Sequence, residues 1–439
     1  MEMNETLLQD LMQFLQASET PYHAVAEQCS RLEAAGYRRL TEAQCWTLEA
    51  GQGYYVTRNE SSLIAFRLPE RAAKRFMMVA SHTDAPMLKI KDQPDLPAVN
   101  GAKRLNVEVY GSALLLPWFD RPLGVAGRVA VRTDDGVAMR RYASRRPLAM
   151  IPSLAIHMDR EANHGHDIQR QKEIVPLYGM DGTPDLLAII AEDLGVQPEE
   201  ILAHDLVLYN TEPPRLWGAR NEFLSAEKLD DLTCAYASLV GLLTARESDS
   251  IPVHIVLDSE EIGSSTMQGA CGTFVRDTLM RIAEVLGWTE QEYLTAVAES
   301  FMLSADNAHA AHPNHMDRAD PVTHPRLNGG PVVKFSGAQH YATDAVSAAV
   351  VRRSAELAGI ALQSFVNHSD HRGGRTLGNI FVQQVSCHTA DVGIAQLAMH
   401  SPYETCGSAD IAPLTALCRT LYSTALCEIV PGEFTVHIS

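Results

Sequence analysis

Leu7, Leu8, Leu11, Phe14 and Leu15 recur at helical spacing and predict an amphipathic first helix. Thr20-Pro21 breaks that pattern, and a second helix is expected from there to Gly36, a residue suited to a helix end. Farther on, short apolar runs stop abruptly in polar clusters. Phe76-Met77-Met78-Val79-Ala80 leads into Ser81-His82-Thr83-Asp84. Ile251-Pro252-Val253-His254-Ile255-Val256-Leu257 leads into Asp258-Ser259-Glu260-Glu261, and Phe301-Met302-Leu303 into Ser304-Ala305-Asp306. Each run reads as a buried strand delivering metal-competent side chains past its C-terminal end, where open α/β sheets build their sites.

From about 86 to 221 the pattern differs. Gly and Pro punctuate short period-2 runs, and Val129, Val131, then Asp134-Asp135-Gly136 and Val137 predict a hairpin. One helix is expected at about 186–194. Ligand candidates occur on both sides of this stretch, so the economical arrangement is an α/β unit (1–85 and 222–439) interrupted by a β-rich insertion (86–221).

Composition narrows the function. The chain has 439 residues with 36 Lys+Arg against 54 Asp+Glu, a net charge of −18 that argues against nucleic-acid or anionic-membrane partners. No apolar run reaches the ~18 residues of a membrane span. Residues 1–10 carry Glu2, Glu5 and Asp10 and lack the cationic start of an export signal. The eight cysteines are scattered without a C-x-x-C pair, as expected of reduced thiols in the cytoplasm.

Asp258, Glu260 and Glu261 crowd carboxylates within four residues after a buried strand, where a cation would relieve their repulsion. The tight Ile262-Gly263-Ser264 that follows suits a packed turn. His82-x-Asp84 supplies an imidazole and a carboxylate to orient it. Read one at a time, the Glu pair also fits a solvated acidic turn, His82 a structural histidine and Asp230 a helix N-cap. Read together, His82, Asp230, Glu261, Asp306 and His400 offer two imidazoles and three carboxylates. That set suits two divalent ions, Zn²⁺ first and Co²⁺ or Mn²⁺ next, and leaves Glu260 free as a general base.

These residues fall in blocks. Ser81-His82-Thr83-Asp84, Trp118-Phe119-Asp120-Arg121, Ile151-Pro152-Ser153-Leu154-Ala155-Ile156-His157, Leu229-Asp230, Asp258 to Ser264, Ser304-Ala305-Asp306 through Asn314, and His400 resemble, in order, the signature blocks of the aspartyl aminopeptidase family. The resemblance implies a peptidase domain with a central mixed sheet flanked by helices, interrupted by a barrel-like dimerisation domain. Dimers would assemble into a homododecamer that acts on peptides. It further implies that Asp230 bridges two metals, one completed by His82 and Asp306, the other by Glu261 and His400. Glu260 would be the base and Asp84 would orient His82. His157, by pattern a polar residue in a buried strand, would reach a neighbouring subunit's site.

Lys334 matches the family lysine suggested to meet an acidic substrate side chain; by pattern alone it also fits an edge-strand lysine reaching solvent. Gly373-Gly374 would bring backbone close to substrate. Ser153 departs from the histidine of many relatives. The loop 367–375 is more basic than the family form, with His371, Arg372 and Arg375 placed either to strengthen acidic selection or to face solvent. His164, His166, His312 and His315 read as surface or structural residues. The competing functions are a broad-specificity dinuclear aminopeptidase, an N-deacylase and, more remotely, a non-catalytic metal-binding scaffold.

Overall fold

Alternate side chains of the strand Arg75–His82 enter two different cores, which makes this strand the centre of the molecule. Met77 and Val79 join an apolar cluster with the helices Glu2–Gln16, Pro21–Ala34, Leu229–Thr244, Ala345–Ala358 and Ile411–Tyr422. Phe76, Met78 and Ala80 face the opposite way, against Phe274–Val285, Glu290–Ala298 and Leu377–Phe381. A strand buried on both faces needs a continuous apolar run, and that is what the sequence carries. The computed structural model describes residues 2–371, 373–430 and 432–438.

The central sheet has nine strands and is mixed. Its middle, Ser250–Leu257, Arg75–His82, Phe301–Ala305 and His388–Gly393, runs parallel, so three of the polar clusters emerge at one edge. Val332–Phe335 lies between His388–Gly393 and Gln363–Val366, so Lys334 is not on an edge strand, one of the two places the sequence left open for it. The first helix buries Leu8, Leu11, Phe14 and Leu15 as its spacing predicts. The second ends where Gly36 takes φ +84°, with Tyr37 N–H donating to Leu32 O at 2.9 Å.

A second sheet of six antiparallel strands lies wholly within residues 87–210 and has its own core around Leu88, Leu105, Trp118, Val125, Ile190 and Leu206. Its hairpin joins Leu123–Thr133 to Gly136–Ala143 through Asp134-Asp135, and the helix Leu186–Leu194 covers it. Its edge strands, Gly136–Ala143 and Leu177–Met180, do not pair among the described residues, so the sheet is open rather than a closed barrel. Arg215–Trp217, inside the expected insertion, pairs with Phe223–Ala226 in a separate five-stranded sheet. All eight cysteines are unpaired, and among the described residues no helix is long and apolar enough to cross a membrane.

Candidate metal centre

Three strand ends, one helix start and one turn converge on a group of acids and imidazoles, with His82, Asp230 and Asp306 buried and Glu260, Glu261 and His400 half-buried. His82 closes its strand and is 1% exposed. Its Nδ1 lies 2.9 Å from Asp84 O and 3.5 Å from Asp84 Oδ1, which fixes the ring and turns Nε2 inward. Nε2 faces Asp230 Oδ1 at 3.6 Å and Asp306 Oδ2 at 4.0 Å. Asp230 opens the helix Leu229–Thr244 with non-helical dihedrals after Lys228 at φ +59°, and its peptide bond to Asp231 is cis. The residue that precedes the helix is Lys228, not Asp230, and no side chain caps it; the Asp230 carboxylate faces the two histidines instead.

Glu260 and Glu261 sit on a 3₁₀ turn entered through Ser259 at φ +67° and left through Gly263 at φ +93°. Both their N–H groups donate to the Asp84 carboxylate, at 3.0 and 3.1 Å. Asp84 thus orients His82 and the Glu turn together. His400, at φ +69°, places Nε2 3.4 Å from Glu261 Oε1 and 3.9 Å from Asp230 Oδ2. Two overlapping groups form: Asp230, Glu261 and His400 in one, His82, Glu260 and Glu261 in the other, each with ligand atoms mutually within 4.8 Å.

Charge favours cations here. Burial pushes Glu261, Asp231 and Glu404 well above the usual carboxylate range and Glu260 up to about 8, with neighbouring carboxylates adding to each. Asp230 is also opposed by burial, but His82 and His400 outweigh it and hold the carboxyl low. Asp230 Oδ1 is buried with no hydrogen-bond partner. An orphaned acceptor facing His82, amid mutually repelling carboxylates, fits divalent metal.

Lys334 is 2% exposed, and its ammonium donates to Asp306 Oδ1 at 2.6 Å and Asn307 O at 3.1 Å, 5.3 Å from the Tyr341 ring centroid. The expected substrate cation is thus engaged with a candidate ligand. His157 lies on an exposed turn rather than in a buried strand. The 151–158 segment leaves Leu154 60% and Met158 75% exposed, and Asp120 Oδ1 accepts Ser153 N–H at 2.8 Å. Among the described residues no hydrogen bond or ion pair joins His157 to the centre.

Gly373 and Gly374 line a cavity of about 290 Å³ together with His309, His312, His315, Arg318, His368 and His371. His312 and His315, read from sequence as surface or structural residues, therefore share a wall with the basic loop. Arg375 is exposed, and Arg372 lies outside the described residues.

Several positioning groups were not anticipated. Glu404 accepts Asp230 N–H at 2.9 Å and His400 N–H at 2.7 Å. Asn307 Nδ2 donates to Leu229 O at 2.8 Å and to Gln396 Oε1 at 3.0 Å. Tyr110 donates to Asp84 Oδ2 at 2.7 Å. The one sequence signal was proximity: Asn307 follows Asp306, and Glu404 follows His400 by four.

Residues 14–422 match the family described as "Aminopeptidase I zinc metalloprotease (M18)". A "Probable M18 family aminopeptidase 2" of Pseudomonas fluorescens is 40% identical over 431 residues, covering 96% of this chain and 99% of that protein. One of the same description from Clostridium acetobutylicum is 40% identical over 409 residues, covering 91% and 94%. Among solved structures, the "Cryo-EM structure of the Ape4 and Nbr1 complex" aligns with a TM-score of 0.93 at 34% identity, covering 96% of this chain and 86% of that one. The "Structure of S. cerevesiae mApe1 dodecamer" aligns at 0.83 with 27% identity, covering 94% and 96%. The chain belongs to the M18 family of zinc metallopeptidases and is an aminopeptidase.

Proposed function

We propose that this aminopeptidase removes Asp or Glu from the N-terminus of peptides, at a centre of two metals held by His82 and Asp306, by Glu261 and His400, and by Asp230 between them. The observation that carries the acidic preference is the cavity walled by imidazoles and Arg318. His309 on its wall is within electrostatic reach of Asp230, Asp306 and His400, which sets the cavity beside the centre. Its one lining carboxylate among the described residues, Asp320, already accepts Val322 and Thr323 N–H at 2.9 and 2.7 Å. His312 and His368 each accept a backbone N–H at Nδ1, which leaves Nε2–H as a donor suited to a carboxylate.

When bound, the two ions supply Lewis acidity to water and to the scissile carbonyl. Glu260 takes the proton of the attacking water and returns it to the leaving amine, from a turn that the Asp84 carboxylate holds through the Glu260 N–H at 3.0 Å. Asp84 keeps Glu260 on its turn, and the acidic rim receives the substrate's α-amino group. His157 donates to the developing oxyanion of a neighbouring subunit. The exposed apolar loop that carries it supports coverage by a second copy in a homo-oligomer, dodecameric like the similar S. cerevesiae mApe1. The unpaired cysteines are consistent with a cytoplasmic enzyme.

A broad-specificity aminopeptidase is the second reading, favoured by the engagement of Lys334 with Asp306. The test is initial hydrolysis rates on Asp-, Glu-, Leu- and Lys-p-nitroanilides after chelation and return of Zn²⁺, Co²⁺ or Mn²⁺, with Glu260→Gln as the blank. Metal-restored activity favouring Asp and Glu is expected. Rates favouring Leu or Lys would overturn the acidic preference and leave the metal mechanism standing.

A further inference from the structure

The strand Ala102–Tyr110 belongs to the six-stranded sheet, yet the chain leaving it touches the metal centre at successive residues. Tyr110 Oη donates to Asp84 Oδ2 at 2.7 Å, the oxygen that also accepts Glu261 N–H at 3.1 Å. Gly111 follows at φ +71°. A Cβ there would stand 3.2 Å from Glu261 Cβ and 3.4 Å from Glu261 O, so the chain passes this ligand closely because it carries no side chain. Ser112 O lies 3.0 Å from His400 Nδ1, and Leu114 N–H donates to His400 O at 3.0 Å. The Nδ1–H···O=C bond leaves His400 Nε2 as the free nitrogen, directed at Glu261 and Asp230.

We infer that residues 110–114 are a clamp through which the six-stranded sheet holds the Glu261–His400 half of the centre in ligating geometry. The inference rests on the proposed reading of Glu261 and His400 as metal ligands. The contacts divide unevenly between the halves. Glu261 is touched from Asp84 and from Gly111, and His400 is held on its ring and on its main chain. His82, in the other half, is held most closely by the Asp84 main-chain O at 2.9 Å, and the carboxylate oxygen near its ring, Oδ1 at 3.5 Å, is not the one Tyr110 meets. Asp306 is held from elsewhere, by Lys334. A fault in the clamp therefore loosens one ion and spares its neighbour. Residues 110–114 are positioning residues: they act through Asp84, Glu261 and His400.

The experiment is titration of the metal-free full chain with Co²⁺, following visible absorption of the bound ion, for the parent, Gly111→Ala and Tyr110→Phe. The parent is expected to take up two equivalents. Both variants should bind the first within about threefold of the parent and the second about 10–100-fold more weakly, the range seen when partners of metal ligands are removed. Melting of the metal-free Tyr110→Phe protein should stay within about 2 °C of the parent, the size of shift one lost hydrogen bond gives in a chain this long, whereas Gly111→Ala, strained at φ +71°, is read by its relative metal affinities alone. Tyr110→Phe changes no volume in the turn and keeps the test valid where Gly111→Ala does not fold. Two equivalents bound at parental affinity in the variants would overturn the clamp and leave the dinuclear reading intact. Equal weakening of both equivalents, or a metal-free Tyr110→Phe protein that melts more than about 2 °C below the parent, would overturn it as a general fold defect. A parent that takes up fewer than two equivalents would overturn the dinuclear reading, and the clamp with it.

Discussion

Lys334→Met separates two roles for the one fully buried lysine at the centre. The ammonium sits 2.6 Å from Asp306 Oδ1 and also faces the carboxyl of buried Asp391, which burial pushes up and Lys334 pulls down. At that distance and an effective dielectric of ~20 the direct attraction is about 6 kcal/mol, offset by desolvation of both partners. Removing one partner of such a pair leaves the other buried and unpaired, which costs about 3–5 kcal/mol. Burial opposes the charge on Lys334, but Asp306, Tyr341 and Asp391 outweigh it and hold its pKa above the usual lysine value. A folded pKa above the unfolded one contributes stability that is complete below the unfolded value and fades as pH rises through the folded one, so the contribution is whole at pH 7. Urea unfolding of the metal-free variant should show that 3–5 kcal/mol loss. Because the lysine holds Asp306, a proposed ligand, kcat/KM should fall by one common factor for Asp-, Glu- and Leu-p-nitroanilides. Unchanged stability, or a loss confined to Asp and Glu substrates, would refute the reasoning and return Lys334 to the substrate pocket.

Glu260→Gln should lower kcat by about 10²–10⁴-fold, the usual contribution of a general base, while metal analysis still finds the parental content. The metal-free protein should lose stability as pH rises from about 4.5 to about 8. Across that window the folded state holds the proton of Glu260 that the unfolded chain releases, which contributes about −1.4 kcal/mol per pH unit in unfolding scans, and the raised Glu261, Asp231 and Glu404 steepen the fall. Reloading with Zn²⁺ should remove this slope, because bound cations favour the ionised carboxylates. Glu404→Gln puts an amide NH₂ against one of two backbone N–H groups, on Asp230 or His400. It should cost about 1–3 kcal/mol in denaturant unfolding, with metal lost to chelator faster than from the parent.

The parts of the centre legible in the sequence were those where one chemistry follows one strand. A run such as Phe76 to Ala80 has no polar atom to satisfy on either face, so it is a buried strand wherever it lies, and His82 at its end is placed with it. Glu260-Glu261 and Asp306 follow for the same reason. The helix Leu186–Leu194 was readable because its apolar residues keep one period until Gly195 ends it at φ +69°. Contacts set by sheet order were not readable. Nothing local in Val332-Val333-Lys334-Phe335 says that His388–Gly393 and Gln363–Val366 flank it, or that Lys334 meets Asp306. Tyr110 lies 26 residues from Asp84, on another sheet, and its role exists only once the two sheets meet. The segment ending in His157 was misread by pattern because Ile151, Leu154 and Ile156 look like core. In this chain Leu154 and Ile156 are exposed, a position that apolar side chains occupy stably when a partner covers them.

The most direct test of the metal centre is anomalous diffraction at the zinc edge from crystals of the zinc-loaded protein. Two peaks are expected, ~3.5–4 Å apart, with Asp230 between them, one beside His82 and Asp306 and the other beside Glu261 and His400. A single peak, or a pair that Asp230 does not bridge, would contradict the two-metal centre.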